Sequence, residues 1–363
     1  MTSKNAIRLG IIGCGRVAWE RHLPALSRVP EFRVTAAADC DAERSRALAG
    51  CFKGARNFAD YRAVLELEDV DAVAILTPTM SHAEIGLAAL DAGKHVFMEK
   101  PLAMNLEQCD RLIARAADSP CRIVVGFNLR WHRLVRRARE FLSTGALGRF
   151  KAIRSVYTHN RTGENAPDWH RELKLGGGVT LNEAVHHFDL WRYFTGSDVE
   201  EIHAWAAPSK RYEEETSVVA ARLSGGVLAT GVFSMGSAPN SEVEIFGENG
   251  RLCISLYRFD GLEFFPFAVY PGNLTDRFKK AVRALGELCE VLPLLARGGI
   301  FQATFEGIWR HFAGCVLNGQ PSECRLEDGK RSLEAALAAI CSERTGAPVS
   351  ISTLQSSHGH ARN

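Results

Sequence analysis

Apolar runs and polar breaks alternate on a regular scale through the first third of the chain. Ile7-Arg8-Leu9-Gly10-Ile11-Ile12 is a β-branched run that stops at glycines, and Val17 to Leu26 follows with apolar residues at helical spacing. Strand-like runs recur at 33–38, 72–76, 95–98 and 122–126. Between them lie helical patterns at Ser81–Ala92, closed by Gly93, and at Leu106–Ala117. Strands alternating with helices of about 10–15 residues predict βαβ units and a doubly wound parallel sheet.

Past Gly126 the rhythm changes. Arg130 to Leu142 has helical spacing and ends near Gly145. Longer strand patterns then follow at 152–159, 202–207, 217–223, 227–234 and 243–246, and Ser224-Gly225-Gly226 supplies a hairpin turn between two of them. This predicts a second, α+β domain built on a large, mostly antiparallel open sheet. Phe278 to Leu295 is apolar-rich and helical, basic at its start and interrupted at Pro293. It reads as a helical insertion packed on the second domain, not as a membrane-surface helix. The expected division is 1–126, 127–355 and a polar, disordered tail at 356–363.

Composition narrows the function. A chain of 363 residues suits two domains at about 150 each. With 44 Lys and Arg against 42 Asp and Glu, the net charge of +2 gives no electrostatic case for nucleic acid or an anionic membrane as partner. The ten cysteines are spread with no Cys-x-x-Cys pair and no metal-ligand spacing, as for free thiols in a reducing compartment. No signal-peptide layout precedes the first strand, and no apolar run approaches the ~20 residues that span a bilayer. A cytoplasmic location follows as the expectation.

Gly13-Cys14-Gly15-Arg16-Val17-Ala18 follows the first strand and opens the first helix, which fits the dinucleotide pattern G-x-G-x-x-G/A. Gly13 permits the tight turn, Gly15 lets the backbone approach a pyrophosphate, and Ala18 lets helix and sheet pack closely. The helix start offers free N–H groups to phosphate. Asp39, at the end of the second strand, suits the ribose hydroxyls and repels a 2′-phosphate, as does Asp41. NAD is therefore favoured over NADP, with Arg44 the residue that would reverse the preference.

Two longer blocks carry a family resemblance. Thr77-Pro78-Thr79 with His82, then Ala92-Gly93-Lys94-His95-Val96-Phe97-Met98-Glu99-Lys100-Pro101, form the first. Gly176-Gly177-Gly178-Val179-Thr180-Leu181-Asn182-Glu183-Ala184-Val185-His186-His187-Phe188-Asp189 form the second. With Val243–Gly247 and the stretch from Glu327 to Gly346, the chain resembles the Gfo/Idh/MocA oxidoreductases from Ile7 to Ile351. The resemblance implies a Rossmann domain that holds NAD or NADP. It implies a sugar, cyclitol or nucleotide-linked sugar as substrate, and a homodimer or homotetramer formed through the open sheet. It places Thr77, Pro78, His82, Glu99 and Lys100 at the cofactor.

The residues suit hydride transfer between nicotinamide and a secondary alcohol or ketone. Lys100 at a strand end can hydrogen-bond the reacting oxygen. His186 has a side chain whose ordinary pKa of ~6.5 suits proton exchange near neutrality. Asn182, four residues earlier, shares a helix face with it if the segment is α-helical. The family commonly has Asp at this position. Asparagine can bond a substrate hydroxyl but cannot act as a base, which leaves the proton work to His186 and Lys100. Asp189 is placed to orient His186, and His187 reads as structural. The Lys100–Pro101 peptide has the option of cis. Arg130 and Trp169 are the candidate substrate contacts, Trp169 by stacking on a sugar ring. The rival readings keep the cofactor: glycoside cleavage through transient oxidation, or a non-catalytic NAD-binding regulator.

Overall fold

The computed structural model describes residues 6–161, 167–268, 274–296 and 298–354. The expected disordered tail at 356–363 lies outside them. The chain divides into two compact units. One takes the described residues up to Asn128 together with Phe305–Leu333, the other Leu129–Thr304 and the residues from Glu334 onward.

The first unit is a six-stranded parallel sheet in the order β3-β2-β1-β4-β5-β6. Its strands are β1 (Ile7–Ile12), β2 (Phe32–Ala38), β3 (Arg56–Phe58), β4 (Ala72–Ile75), β5 (His95–Met98) and β6 (Ile123–Val125). Helices α1 (Leu23–Leu26), α2 (Ala42–Gly50), α3 (Tyr61–Leu65), α4 (His82–Asp91) and α5 (Leu106–Ala117) connect them. Asp41, Asp60 and Asn105 cap α2, α3 and α5 by accepting backbone N–H groups. Strand order reverses between β1 and β4, which puts the ligand crevice of such a sheet at their carboxyl ends. Strand β3 and helices α2 and α3 were missed in the sequence because Arg56–Phe58 has no alternation and α3 is a single turn.

The division at 126 left 305–333 with the second domain, yet this segment packs in the first unit. Its aromatic residues explain why. Trp309 stacks on Phe97 of β5 at 4.4 Å and meets Phe32 of β2 edge-on at 5.1 Å, while Phe312 stacks on Phe32 at 5.7 Å. All are buried, and together they close one face of the parallel sheet.

The second unit holds an eight-stranded sheet in the order β13-β12-β11-β7-β10-β9-β8-β14. The strands are β7 (Phe150–Asn160), β8 (Val199–Ala207), β9 (Thr216–Leu223), β10 (Leu228–Ser234), β11 (Gly236–Gly247), β12 (Gly250–Ser255), β13 (Leu262–Pro266) and β14 (Val349–Ser350). All pairs are antiparallel except β7 with β10. Helices α6 (Arg133–Ser143), α7 (Val185–Thr195) and α8 (Leu274–Leu295) belong to this unit. Helix α8 starts earlier than the apolar pattern and continues past Pro293, where the sequence suggested an interruption. Two further helices among the described residues, α9 (Ile300–Asn318) and α10 (Leu326–Thr345), precede β14.

Candidate active site

In the first unit, ten predicted cofactor positions and the catalytic candidate Lys100 gather at the carboxyl ends of β1, β2, β4 and β5. Gly13 has φ +94, and a Cβ added there would lie 2.7 Å from the backbone of Leu76 and Thr77. The β1 and β4 loops therefore touch through bare backbone. Gly15 has open space where its Cβ would be. Arg16, Val17 and Ala18 start a helical segment that passes through a π-turn at Ala18–His22 before α1, and Ala18 is fully buried. Arg16 pairs with Glu20 at 3.2 Å.

Asp39 ties the glycine loop to β2. Its Oδ2 accepts the N–H of Cys14 at 2.7 Å and its Oδ1 that of Asp41 at 2.9 Å. Arg44 is held by Asp41 at 3.2 Å. The open cradle at Gly15, the helix start beside it and a carboxylate at the end of β2 are the parts that a dinucleotide needs. The residues present fit NAD.

His82 is buried, and its two ring nitrogens reach backbone oxygens, Pro101 O at 2.8 Å and Thr77 O at 2.9 Å. It thus binds the Thr77-Pro78 loop to the loop after β5. Burial holds its pKa below the ordinary value. Thr77 is fixed further by the hydroxyl of Ser81 at 2.8 Å. The Lys100–Pro101 peptide is cis.

Beneath Lys100, the predicted Glu99 meets two residues that sequence reasoning missed, His22 and Trp309. Glu99 is buried, its Oε1 lies 3.0 Å from Nε2 of His22, and its Oε2 accepts the N–H of Lys100 at 3.1 Å. The indole N–H of Trp309 donates to Nδ1 of His22 at 3.2 Å. An indole can only donate, so the ring proton of His22 sits on Nε2 and points at Glu99. Burial works against the Glu99 charge, but His22 and Lys100 outweigh it and hold the pKa below the usual value. Gly126 leaves room, since a Cβ there would press to 3.0 Å on Glu99 Oε1. His22 carries no local sequence signal. Its partners lie 77 and 287 positions away.

In the second unit, the triple glycine leads into a π-turn at Thr180–Ala184 and then α7. Gly176 and Gly178 have φ of +89 and +83. A Cβ on Gly177 would lie 2.5 Å from the carbonyl oxygens of Trp169 and His170. The glycines thus admit the turn that carries Trp169, which is half-buried and edge-on to His170 at 4.0 Å. The π-turn changes the expected i, i+4 alignment of Asn182 with His186. Asn182 is buried, and its amide N–H groups reach Gly178 O at 3.0 Å and Gly176 O at 3.3 Å. From Gly176 to Trp191 every residue is buried except His186, which is half-buried.

Two expectations change here. Asp189, read as the orienting partner of His186, grips Arg130 through both oxygens, one at 2.8 Å from Nε. Arg130, read as a substrate contact, is buried in that pair and lies over the ring of Tyr193 at 5.0 Å. His187 is structural as read. It is wholly buried between Tyr157 and Phe233, neither ring nitrogen has a hydrogen-bond partner, and burial lowers its pKa to about 4.

Glu214 is a second residue without sequence signal. Its carboxylate accepts the N–H of Thr180 at 3.3 Å and the Thr180 hydroxyl, and its backbone oxygen takes the N–H of Val179. Burial, reinforced by neighbouring Glu343, pushes its pKa up to about 8.

A parallel sheet in this order with a fitted dinucleotide cradle defines an NAD-binding Rossmann protein. Residues 7–127 match the oxidoreductase family described as having an NAD-binding Rossmann fold, and 135–253 match the GFO/IDH/MocA C-terminal domain. The chain belongs to the Gfo/Idh/MocA family and is an NAD-dependent oxidoreductase. A dTDP-3,4-didehydro-2,6-dideoxy-alpha-D-glucose 3-reductase of Actinomadura kijaniata is 32% identical over 302 residues, 78% of this chain and 87% of that protein. The myo-inositol 2-dehydrogenase of Thermotoga maritima is 29% identical over 256 residues, 68% and 74% of the two chains. Among solved structures, the WlbA dehydrogenase from Bordetella pertussis, crystallised with NADH and UDP-GlcNAcA, superimposes with a TM-score of 0.81 at 22% identity over 96% of this chain and 98% of that one. Among the described residues, no helix is long and apolar enough to cross a membrane.

Proposed function

We propose that the protein transfers a hydride reversibly between NAD(H) and a carbinol carbon of a sugar, cyclitol or nucleotide-linked sugar. The relatives that act on a dTDP-sugar and on myo-inositol support this substrate class. The bound cofactor supplies the hydride acceptor or donor, held by Gly13, Gly15, Arg16, Val17, Ala18, Asp39, Thr77 and Pro78. His82 and Glu99 shape that end of the site from beneath, by fixing the loops on either side of Lys100.

Lys100 hydrogen-bonds the reacting oxygen, and His186 exchanges its proton. The observation that carries this reading is the exposure of His186. It alone keeps access to solvent in a stretch that is otherwise buried from Gly176 to Trp191. A histidine kept accessible in an apolar setting is suited to move a proton at neutral pH. Asn182 acts by setting the shape of the glycine loop, and Trp169 on the adjoining turn offers a flat apolar face to a sugar ring.

The protein works in the cytoplasm, and its ten free cysteines suit a reducing compartment. It assembles as a homo-oligomer through the open face of the second sheet. Trp205, Val218 and Val232 form a row of cross-strand neighbours on that face, and all three are exposed.

The test is absorbance at 340 nm with NAD⁺ and NADP⁺ against sugars, inositols and sugar nucleotides, and the reduced cofactors against the keto compounds. Turnover with NAD(H) and one substrate group is the expected result. Silence across the panel, with NAD still on the purified protein by mass spectrometry, would replace this reading by glycoside cleavage or regulation.

A further inference from the structure

The turn that carries Trp169 and the triple glycine closes on itself. The N–H of Gly177 donates to Glu172 O at 2.9 Å and that of Gly178 to His170 O at 3.0 Å. Two adjacent residues then tie it to the rest of the unit. At one end the N–H of Glu213 donates to Arg171 O at 3.0 Å, and Glu213 Oε2 accepts the N–H of Leu173 at 2.7 Å. At the other end Glu214 takes the N–H groups of Val179 and Thr180 and the Thr180 hydroxyl. A Cβ on Gly178 would collide with the Glu214 carboxyl, so the glycine loop lies directly against it.

The segment that holds these two residues is itself braced. Tyr212 is buried, and its hydroxyl donates to Arg161 O, just past β7, at 2.8 Å. The N–H of Glu215 donates at 3.0 Å to the oxygen of Ala207, the last residue of β8. The N–H of Met235, just past β10, donates to Glu215 O at 2.9 Å. Glu343 of α10 neighbours the Glu214 carboxyl and accepts the Ser217 hydroxyl of β9 at 2.9 Å. Residues 212–215 thus mount the turn on the ends of three strands, the rigid support that a precise site requires.

We propose that Glu213 and Glu214 are positioning residues for the reaction, an assignment that rests on the hydride-transfer reading of this site. Glu213 sets the part of the turn that presents Trp169 to substrate. Glu214 sets the start of the segment that leads to Asn182 and His186. Chain order divides the work in this way. Leu173, held by Glu213, follows Trp169 in the same turn, whereas Thr180, held by Glu214, opens the π-turn that runs into α7. Each carboxyl acts through the backbone it holds and not on the reacting atoms.

Steady-state kinetics and amide hydrogen exchange of the full chain test this. Glu213→Ala removes the acceptor of Leu173 and should raise the substrate KM about tenfold at unchanged kcat, the worth of one aromatic contact. Glu214→Ala should lower kcat about 10²-fold, the cost of displacing a catalytic group by about 1 Å. Glu214→Gln keeps an acceptor for Thr180 and is neutral, as the proton-bearing carboxyl is, so it should recover most of that loss. NADH affinity should change little in all three. Equal kinetic losses in the two alanine variants, or no recovery in Glu214→Gln, would mean general destabilisation and overturn the assignment. Exchange reads the clamp with no substrate present. Amides of 170–182 should exchange faster in both alanine variants, with α7 unchanged. Unchanged exchange overturns the clamp whatever the kinetics show. A wild type that turns over no substrate, with faster exchange in the variants, supports the clamp and sinks only the hydride-transfer reading. Glu213 is exposed, so Glu213→Ala decides the matter even if Glu214→Ala does not fold.

Discussion

Nε2 of His22 donates to Oε1 of Glu99 across 3.0 Å, in a position where the histidine has no exposure to solvent. The pair is wedged beneath the cis peptide that follows Lys100, and Trp309 fixes its tautomer from the other side. His22 serves one oxygen of this buried carboxylate and the backbone N–H of Lys100 the other, so removing the histidine strands Oε1 and weakens the hold on the charge. His22→Ala should destabilise by about 3–5 kcal/mol. His22→Gln keeps a donor and should recover part of that loss. Thermal melts of the two variants measure the difference, and equal melting midpoints would contradict the role given to the hydrogen bond.

Lys100→Ala should lower kcat by about 10²-fold or more while NADH affinity changes little. The split between kcat and the cofactor Kd is the informative readout. A parallel loss of both would mean that the lysine serves the cofactor and not the reacting oxygen. His186→Asn should lower kcat to a similar degree while NADH affinity changes little.

Asp39→Ser should weaken NADH binding and raise NADPH binding, because the carboxylate that repels a 2′-phosphate is gone. The same change replaces the two carboxylate oxygens that accept the N–H groups of Cys14 and Asp41 by one uncharged hydroxyl, which cannot serve both as well. Melting temperature should therefore fall alongside the change in cofactor preference, measured by fluorescence titration with both reduced cofactors.

Stability should decline as pH rises from about 4.5 to about 8, through Glu214. Its folded pKa stands at about 8, above the ordinary carboxyl value of 4.5. In that interval the folded protein keeps a proton that the unfolded chain has lost, so raising the pH favours unfolding, by at most about 1.4 kcal/mol per pH unit. Glu214→Gln should flatten this slope in urea melts across the interval. It should also leave Thr180 with a weaker acceptor at the start of the His186 segment.

His187 works in the opposite direction. Its folded pKa of about 4 lies below the ordinary 6.5, so acidification from 6.5 towards 4 should cost stability that is fully present at higher pH. His187→Leu removes two buried nitrogens that have no partner. The variant should be at least as stable as wild type at pH 7 and should resist acid better. A variant less stable than wild type at both pH values would show that the ring's packing outweighs its desolvation.

Most of the parallel half was legible because every strand there except β3 is one local apolar run closed by a turn or loop residue. The dinucleotide loop and Lys100 were legible for the same reason, as short contiguous motifs. What escaped is what distance in sequence conceals. His22 and Trp309 meet in space from opposite ends of the chain, and 305–333 joins the first unit through aromatic packing that no pattern in 300–345 announces. Glu214 sits in the run Glu213-Glu214-Glu215, which reads as a solvated charge cluster until the fold buries its middle member. Asp189 was misassigned because helical spacing pointed it at His186, while the competing cation, Arg130, comes from 59 residues earlier.

Strand β7 holds the middle of its sheet, yet both of its neighbours are made later. Val156 pairs with Val232 on one side and with Glu242 on the other. Each contact closes a loop of about 80 residues, and such long closures slow the search for the native pairing. As the chain leaves the ribosome, β7 therefore waits with both hydrogen-bonding edges bare until β10 and β11 have followed it out. Any pause in translation between 160 and 228 lengthens that interval, and so raises the chaperone dependence of the whole protein.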